Sequence, residues 1–312
     1  IINKSGVLFY RNWLKPNVLM YLEEESGNYY VSVKNFCSFL NFYKLKSKLD
    51  EIPPSAHAII DFSLCEFVDH TVMEGLNDYS RNFSRQSGFF EIIGLDIHEA
   101  KTEHPFALRK SLPESSLLNF QVSLTKRQKL LQKLSTILDW DYLAEPLSNY
   151  GNLERFYYFK TKWINYRYNN LESKNKEFLL FDLSYSEGAF IAREDLRSTF
   201  LQIKVSNKMP VFALDKENFM TTILQLSGLE DIDFKRYPDF SRRFYLRGED
   251  VKSIRSFFTD DLIYFFESHP AYYLESDGNT LLIRSKERLA SIQEIKQMLA
   301  FAEELLKVLE NK

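Results

Sequence analysis

Three consecutive side chains that are able to do chemistry, Asp69, His70 and Thr71, stand where the sequence changes from a strand to a helix. An apolar run at 58–60 precedes them, and apolar side chains then recur at 72, 76, 79 and 83, the spacing of one buried helix face. Free backbone N–H groups and the helix dipole make a helix start a natural anion site. The plainer alternative is that Asp69 or Thr71 only caps the helix, which is worth about 1 kcal/mol.

The elements around this turn predict an α/β domain. A strand at 58–61, the helix and a second strand at 89–93 form a βαβ unit, whose strands should be parallel with a right-handed crossover. A loop is expected between the first strand and residue 69. A hairpin at 18–22 and 29–33 and a helix at 39–49 complete a sheet of about four strands, with 58–61 as its central strand.

A second group of chemical side chains follows, with Asp96, His98, Glu99, Glu103 and His104 within nine positions. Converging histidines and carboxylates can ligate a metal ion, and a loop could bring these residues together. Their spacing matches no zinc signature, and such residues near a strand end are more often surface hydrogen-bonding groups. We therefore assign no metal site here.

The densest basic region contains Arg242, Arg243 and Arg247, with aromatic residues between them. On an alternating strand Arg242 and Phe244 would share one face while Arg243 and Tyr245 would share the other, so the region is not a clean basic stripe. It is a candidate surface for an anionic partner, such as an acidic segment or lipid headgroups. An edge strand protected by its charges is the alternative that we favour.

Composition excludes several classes of function. The net charge of −3 is evenly spread, so neither half has the basic excess typical of nucleic-acid binding. Cys37 and Cys65 lie in apolar surroundings, as expected of buried thiols in a reducing compartment. Phosphate-cradling, zinc-protease and nucleophile-elbow motifs are absent, and we predict no catalytic residue, cofactor or metal. No apolar run is long enough to cross a bilayer.

The second half of the chain predicts an α+β domain with an antiparallel sheet. Strands are expected at 156–168, 178–191, 199–205 and 210–214, and helices at 219–226, 250–258 and 261–267. Residues 277–279, Asp-Gly-Asn, join two further strands in a hairpin. Ser291 and Glu294 form a capping box that opens a long C-terminal helix, which we expect to pack across the sheet of its own domain.

Several segments resemble a known family. The stretch 56–94, which contains VDHTVMEGL at 68–76, resembles the STAS domain shared by sulphate transporters and anti-sigma-factor antagonists. With 94–110, GLDIHEAKTEHPFALRK, and the upstream stretch 38–63, it is similar to the cytoplasmic tail of bacterial SulP-family anion transporters. In antagonist-type STAS domains the turn reads Asp-Ser-Ser-Gly, and the resemblance places Thr71 at the phosphorylated second serine. His70 and Val72 depart from that pattern and put the phosphoswitch in doubt.

The resemblance covers residues 17–111, and motifs at 187–192, 231–250 and 257–267 look like the extension that follows STAS in some SulP-like proteins. We therefore predict an approach from the membrane or an N-terminal arm at 1–16, a STAS domain at 17–111, a linker and connecting helix at 112–150, and an α+β domain of unknown function at 151–312. The first residue, Ile1, fits a fragment of a longer protein.

The expected function is that of a cytoplasmic regulatory and interaction region of a SulP-like transporter, at the cytoplasmic face of the inner membrane. Its partners would be its own transmembrane domain, a second copy in a homodimer, or a nucleotide or anion at the turn, and not nucleic acid. One alternative is a free-standing STAS regulator switched by phosphorylation at Thr71. Another is an enzyme whose site lies between the domains, around Glu187 or Asp239.

Overall fold

The computed structural model describes residues 17–112, 124–188, 194–216 and 231–310. The chain divides into two units, Ile1–Leu130 and Leu131–Lys312, here called unit 1 and unit 2. This division falls inside the segment predicted as a linker. Unit 1 contains a mixed sheet, and unit 2 contains a separate antiparallel sheet and the C-terminal helix.

The sheet of unit 1 has seven strands rather than about four. They are β1 (Asn17–Leu22), β2 (Tyr29–Cys37), β3 (His57–Asp61), β4 (Cys65–Val68), β5 (Phe89–Ile93), β6 (His98–Ala100) and β7 (Arg109–Ser111). Their order is β5-β3-β2-β4-β7-β6, with β1 also paired to β2. The parallel pairing of β3 with β5 was predicted correctly. Strand β3 lies inside the sheet between β5 and β2, as expected of an inner strand, but β5 next to it is the edge. The centre is held instead by β2, which pairs with β1, β3 and β4.

Strand β4 corrects a second prediction, since residues 65–68 were expected to be loop. The strand is only four residues long and exposes Glu66, so neither its length nor its pattern distinguishes it from a connection. It pairs in parallel with β2 through Phe67 and Val68. As a result, the helix that follows begins directly at the carboxyl end of a strand.

Three helices accompany this sheet: α1 (Phe42–Leu49), α2 (His70–Arg85) and the start of α3 (Lys126–Leu138). The predicted stripe of α2 is confirmed, because Val72, Leu76 and Phe83 are buried in one apolar cluster with residues of β2 and β3. Burial of each large side chain contributes about 1.5–3 kcal/mol. Gly94, after β5, has φ +84° and lies so close to Ser63 that a Cβ atom would clash with the backbone.

Unit 2 is built on eight strands: β8 (Trp140–Leu143), β9 (Trp163–Ser173), β10 (Phe178–Glu187), β11 (Glu194–Lys204), β12 (Phe212–Lys216), β13 (Phe244–Arg247), β14 (Tyr273–Ser276) and β15 (Thr280–Arg284). Their order is β13-β12-β14-β15-β11-β10-β9-β8. Every neighbouring pair is antiparallel, as predicted. The hairpin around 277–279 joins β14 to β15, and Asp277 accepts hydrogen bonds from the backbone of Asn279 and Thr280.

The strand predicted at 156–168 starts later than expected. Two 3-10 turns, Leu153–Arg155 and Tyr157–Phe159, come first, and β9 begins at Trp163. The physical reason is a buried carboxylate: Glu275 accepts hydrogen bonds from the backbone N–H groups of Tyr157 and Tyr158. Those groups are therefore satisfied outside any strand ladder. The helix expected at 219–226 lies outside the described residues.

Besides the end of α3, the described residues of unit 2 form four helices: α4 (Pro238–Arg243), α5 (Val251–Phe257), α6 (Asp260–Ser268) and α7 (Ile292–Glu310). The capping box that opens α7 is confirmed: Ser291 N donates to Glu294 Oε2 at 2.8 Å, and Glu294 N donates to Ser291 Oγ at 3.2 Å. Ile295, Met298 and Ala302 of this helix are buried in the core of unit 2. The helix therefore packs within its own unit, as predicted.

Two further predictions concern the chain as a whole. Cys37 and Cys65 are both buried free thiols, as expected from their apolar surroundings. Among the helices of the described ranges, none combines the length and the apolar character needed to cross a membrane.

Candidate functional site

The turn at the start of α2 is held by the carboxylate of Asp69. Its Oδ1 accepts from Val72 N at 2.9 Å, which is the ordinary helix cap, and its Oδ2 accepts from Phe39 N at 2.5 Å. Both carboxylate oxygens are therefore engaged by the backbone. Asp69 acts as a structural residue that joins the turn to the segment after β2, in agreement with the capping alternative.

His70 and Thr71 have exposed side chains in the first turn of α2. His70 Nδ1 donates to the carbonyl oxygen of Phe106 at 2.7 Å, since a carbonyl can only accept, and the His70 ring lies 5.4 Å from that of His104. The imidazole thus connects the start of α2 to the loop at 103–106. Thr71 is left accessible beside it.

Exposed apolar side chains lie next to this turn. Phe39 is 64% exposed and Leu40 is 40% exposed, although large apolar side chains are usually buried. The hydrogen bond from Phe39 N to Asp69 Oδ2 holds the backbone of this segment against the turn that contains His70 and Thr71. We call Phe39, Leu40, His70 and Thr71 together the turn surface. It combines apolar, hydroxyl and imidazole groups, as a protein-binding surface does.

A cavity of about 310 Å³ lies on the other side of the loop, between α2, residues 103–109 and the start of α3. We call it the α2–α3 pocket. Its polar lining includes Arg109, Lys126, Lys129, Glu103 and His104. Its apolar lining consists of Met73, Ile92, Leu95, Pro105, Phe106 and Leu124. A pocket of this size with an apolar wall and a few polar groups is suited to a small molecule.

A buried network fixes the α3 side of this pocket. Asp96, after β5, accepts from Thr125 Oγ1 at 2.5 Å and from Arg127 Nη1 at 2.8 Å. Thr125 and Gln128 form a capping box, with Thr125 N donating to Gln128 Oε1 at 2.9 Å and Gln128 N donating to Thr125 Oγ1 at 3.1 Å. The first turn of α3 is therefore anchored to the strand end. The T-x-x-Q spacing was the available sequence signal for this helix start.

The residues considered as metal ligands are not brought together. Asp96 belongs to the buried network, and His98 is buried with its Nε2 donating to the carbonyl oxygen of Cys65 at 2.6 Å. Glu99, Glu103 and His104 are exposed. Across the ranges that the structure describes, no group of three or more His, Cys, Asp or Glu side chains could hold a metal ion.

The basic region at 242–247 is not one strand, which corrects the predicted alternation. Pro238 opens helix α4, whose last residues are Arg242 and Arg243, and β13 begins only at Phe244. Proline fixes the φ angle of a first helical turn, and this signal outweighed the alternating pattern. Arg247 lies in β13, at the edge of the sheet as described.

The three arginines have different environments. Arg243 donates to the carbonyl oxygens of Phe266, Glu267 and His269, at 3.1, 2.8 and 2.5 Å, and so closes the end of α6. Arg242 forms an exposed ion pair with Asp239. The enzyme alternative placed its site around Glu187 or Asp239. Both carboxylates are in ion pairs, Glu187 with Lys162 and Asp239 with Arg242.

Comparison with known proteins gives little similarity. No protein-family model matches the sequence, and no curated protein matches it. The STAS domain of an antisigma-factor antagonist from Rhodobacter sphaeroides is similar over 26% of this chain and 88% of its own, with 14% identity and a TM-score of 0.22. A STAS domain is therefore a weak structural neighbour.

Two other solved structures are similar at comparable levels. The mycobacterial trehalose monomycolate transport factor A is similar over 59% of this chain and 93% of its own, with 9% identity and a TM-score of 0.35. A protein named Mglu is similar over 23% of this chain, with 10% identity and a TM-score of 0.21. The match spans only 18% of the length of Mglu.

Proposed function

We propose that this chain is the regulatory and interaction region of a SulP-like anion transporter, acting at the cytoplasmic face of the inner membrane without transporting or catalysing itself. The three sequence blocks that resemble SulP-family tails support this proposal. The observation that carries it is the turn surface: the Phe39–Asp69 hydrogen bond holds the segment with two exposed apolar side chains against the turn that contains His70 and Thr71. Such a surface is suited to docking a protein partner.

The partner that we propose is the transmembrane domain of the same transporter. A homodimer through this surface is the second arrangement that the apolar side chains allow. Anion or nucleotide binding at the turn would use the backbone N–H groups and Thr71, because both carboxylate oxygens of Asp69 are already engaged. Catalytic activity is not part of the proposal, since no motif argues for it.

The test has two parts. The coding sequence upstream of Ile1 should specify about a dozen transmembrane segments, and their absence would contradict the proposal. With the complete protein, uptake of labelled sulfate should fall in a Phe39→Asp variant, because a charge on the turn surface disrupts apolar docking.

The matched control is Ile137→Asp, which changes a side chain that is 78% exposed in α3 of unit 2. This variant should transport like the wild type. Melting curves of both variants should be unchanged, which separates docking from folding. Equal uptake by Phe39→Asp and the wild type would remove the turn surface from the proposal.

A second candidate is the free-standing STAS regulator switched by phosphorylation at Thr71. The exposed hydroxyl in the first turn of α2 favours it, because a phosphate there would be stabilised by the helix dipole. Incubation with a cell extract and labelled ATP should then label the wild type and not Thr71→Ala. Equal labelling of both proteins would exclude Thr71 as the switch.

A further inference from the structure

Arg109 is the most unusual residue of unit 1. Its side chain lines the α2–α3 pocket, and it is only 7% exposed. Neither Nε nor Nη1 of its guanidinium has a hydrogen-bond partner among the described residues. An arginine can only donate, and a buried charge without a partner is strongly unfavourable. The position therefore calls for an acceptor that the described protein groups do not supply.

The carboxylate whose charge acts on Arg109, that of Asp96, is already engaged. Its Oδ1 accepts from Thr125 and its Oδ2 accepts from Arg127, which is itself buried. Burial lowers the pKa of Arg109, and the Asp96 charge opposes this only in part. One carboxylate thus faces two buried guanidinium groups, and Arg109 is the one without a hydrogen bond to it.

The mouth of the pocket is also basic. Lys126 and Lys129 lie in the first turn of α3, where the helix dipole disfavours cations, and this turn contains no acidic residue. Lys126 Nζ donates to Ser80 Oγ at 2.8 Å and is thereby held over the pocket. Against three cations the lining offers a single carboxylate, that of Glu103. A bound anion would relieve both the repulsion and the unfavourable dipole interaction.

The rest of the lining indicates what kind of anion fits. Six apolar residues form the wall, so an inorganic ion would leave most of the cavity unused. The cavity of about 310 Å³ equals the liquid volume of roughly ten water molecules, so it has room for a ligand with several carbon atoms. The fitting ligand has an acidic head at one end and a compact apolar body.

We propose that the α2–α3 pocket binds a small organic carboxylate, whose head pairs with the Arg109 guanidinium and whose apolar body lies against Met73, Ile92 and Leu95. Lys126 and Lys129 attract the anion at the mouth. The site goes beyond the proposed regulatory role and is separate from the turn surface. The two nevertheless share the loop at 103–106, because His70 is bonded to Phe106 while the same loop lines the pocket.

Calorimetric titration of the whole chain tests this site, with octanoate as the probe. Octanamide has the same apolar body without the charge, and sulfate has the charge without the body. Because a hydrogen bond to a charged group contributes more than one between neutral groups, octanoate should bind at least about tenfold more tightly than octanamide. It should also bind more tightly than sulfate.

Arg109→Met should abolish octanoate binding while the melting temperature of the unliganded protein is unchanged or higher, because the variant removes an unpaired buried charge. A residue needed only for folding would lower that temperature. Lys110→Met is the matched control, since Lys110 is the next residue of β7 and is exposed. It should bind octanoate like the wild type.

Asn77→Trp provides an independent check, because it narrows the pocket from α2 and leaves Arg109 intact. Octanoate binding should weaken at least tenfold in this variant as well. Equal affinity for octanoate and octanamide, unchanged binding by Arg109→Met, or binding of sulfate as tight as that of octanoate would each overturn the proposal. None of these outcomes depends on the transporter assignment.

Discussion

Helices α3 and α7 begin in the same way, but the buried arginines near their starts differ in whether a carboxylate is hydrogen-bonded to them. Both open with a capping box, Thr125 with Gln128 in unit 1 and Ser291 with Glu294 in unit 2. In unit 2 the last residue of the box, Glu294, is a carboxylate, and Arg288 forms an ion pair with it through two hydrogen bonds, of 2.7 and 3.0 Å. In unit 1 the last residue of the box, Gln128, is an uncharged amide.

This difference separates a structural arginine from one that is free to bind a ligand. Burial by itself would raise the pKa of Glu294, but the ion pair with Arg288 and the nearby Lys286 hold it at about 2. The pair is therefore fully charged at neutral pH, and each partner compensates the other. Among the described residues of unit 1, Arg109 has no hydrogen-bonded carboxylate of this kind, and the Asp96 charge opposes the effect of its burial only in part.

The largest expected effect comes from breaking the paired arginine. Arg288→Met leaves the buried Glu294 carboxylate with Lys286, at 3.3 Å, as its remaining cation, which should lower the free energy of unfolding of unit 2 by up to about 3–5 kcal/mol. Urea unfolding followed by tryptophan fluorescence measures this, because Trp140 and Trp163 both lie in unit 2.

The control for this experiment is Lys296→Met, which removes an exposed cation from the same helix and should change stability by less than about 0.5 kcal/mol. For the comparison with unit 1, hydrogen exchange of residues 17–111 should be measured in the wild type and in Arg109→Met. A loss of protection there as large as the loss caused by Arg288→Met in unit 2 would mean that the two arginines have the same role.

An intermediate effect is expected from pH, because two buried glutamates of unit 2 act in opposite directions. The folded pKa of Glu294, about 2, lies below its ordinary 4.5, so its contribution is present above about pH 4.5 and is lost as the pH falls towards 2. Burial raises the pKa of Glu275 to about 7, against opposing hydrogen bonds from Tyr273 and the backbone. Unit 2 therefore loses stability as the pH rises from 4.5 through 7.

Each contribution is on the order of 3 kcal/mol, so the stability of unit 2 should be greatest near pH 4.5 to 5. Urea midpoints from tryptophan fluorescence at about pH 3, 5 and 8 test the shape of the profile. In Glu275→Gln the decrease above pH 5 should disappear while the decrease in acid remains. A wild-type profile that rises steadily to pH 8 would contradict the direction given for Glu275.

The smallest effect is expected at Thr71, an uncharged residue in the first turn of α2. Thr71→Glu should fold about as stably as the wild type, whereas Thr71→Lys should be less stable by about 0.3–1 kcal/mol, because the helix dipole favours an anion. Thermal unfolding at low ionic strength measures the difference. Equal losses for Glu and Lys would mean that the site does not distinguish charge, unlike the start of α3.

The elements that could be predicted from the sequence are those whose identifying residues lie close together along the chain. The stripe of α2 spans about three helical turns, and the Ser291–Glu294 box and the Asp277 hairpin each lie within one turn. Strands β4, β6 and β7 were missed, because three or four residues are too few to show a period and their pairing partners are distant in sequence. Pro238 was a local signal that the alternating pattern obscured.

The same distinction between neighbouring and distant residues applies to the candidate site. The capping role of Asp69 follows from its position, and the structure places it there. The α2–α3 pocket needs residues from 73 to 129, and the contacts of Asp96 with Thr125 and Arg127 span about thirty positions. Composition and spacing do not report such convergence. In the sequence, Arg109 stood out only as a member of the segment 94–110 that resembles SulP-family tails. Its sequence neighbours do not indicate that its Nε and Nη1 would be buried without hydrogen-bond partners.

The pairing of β11 with β15 has a consequence for how unit 2 is made. Leu201 pairs with Ile283, some eighty residues later in the chain, whereas β8 to β11 pair with neighbours in sequence. At a synthesis rate of about 5–20 residues per second, the outer edge of β11 waits roughly 4 to 16 s for its partner strand. An open edge of that kind pairs readily with another chain, so the nascent protein is most prone to aggregation during this interval.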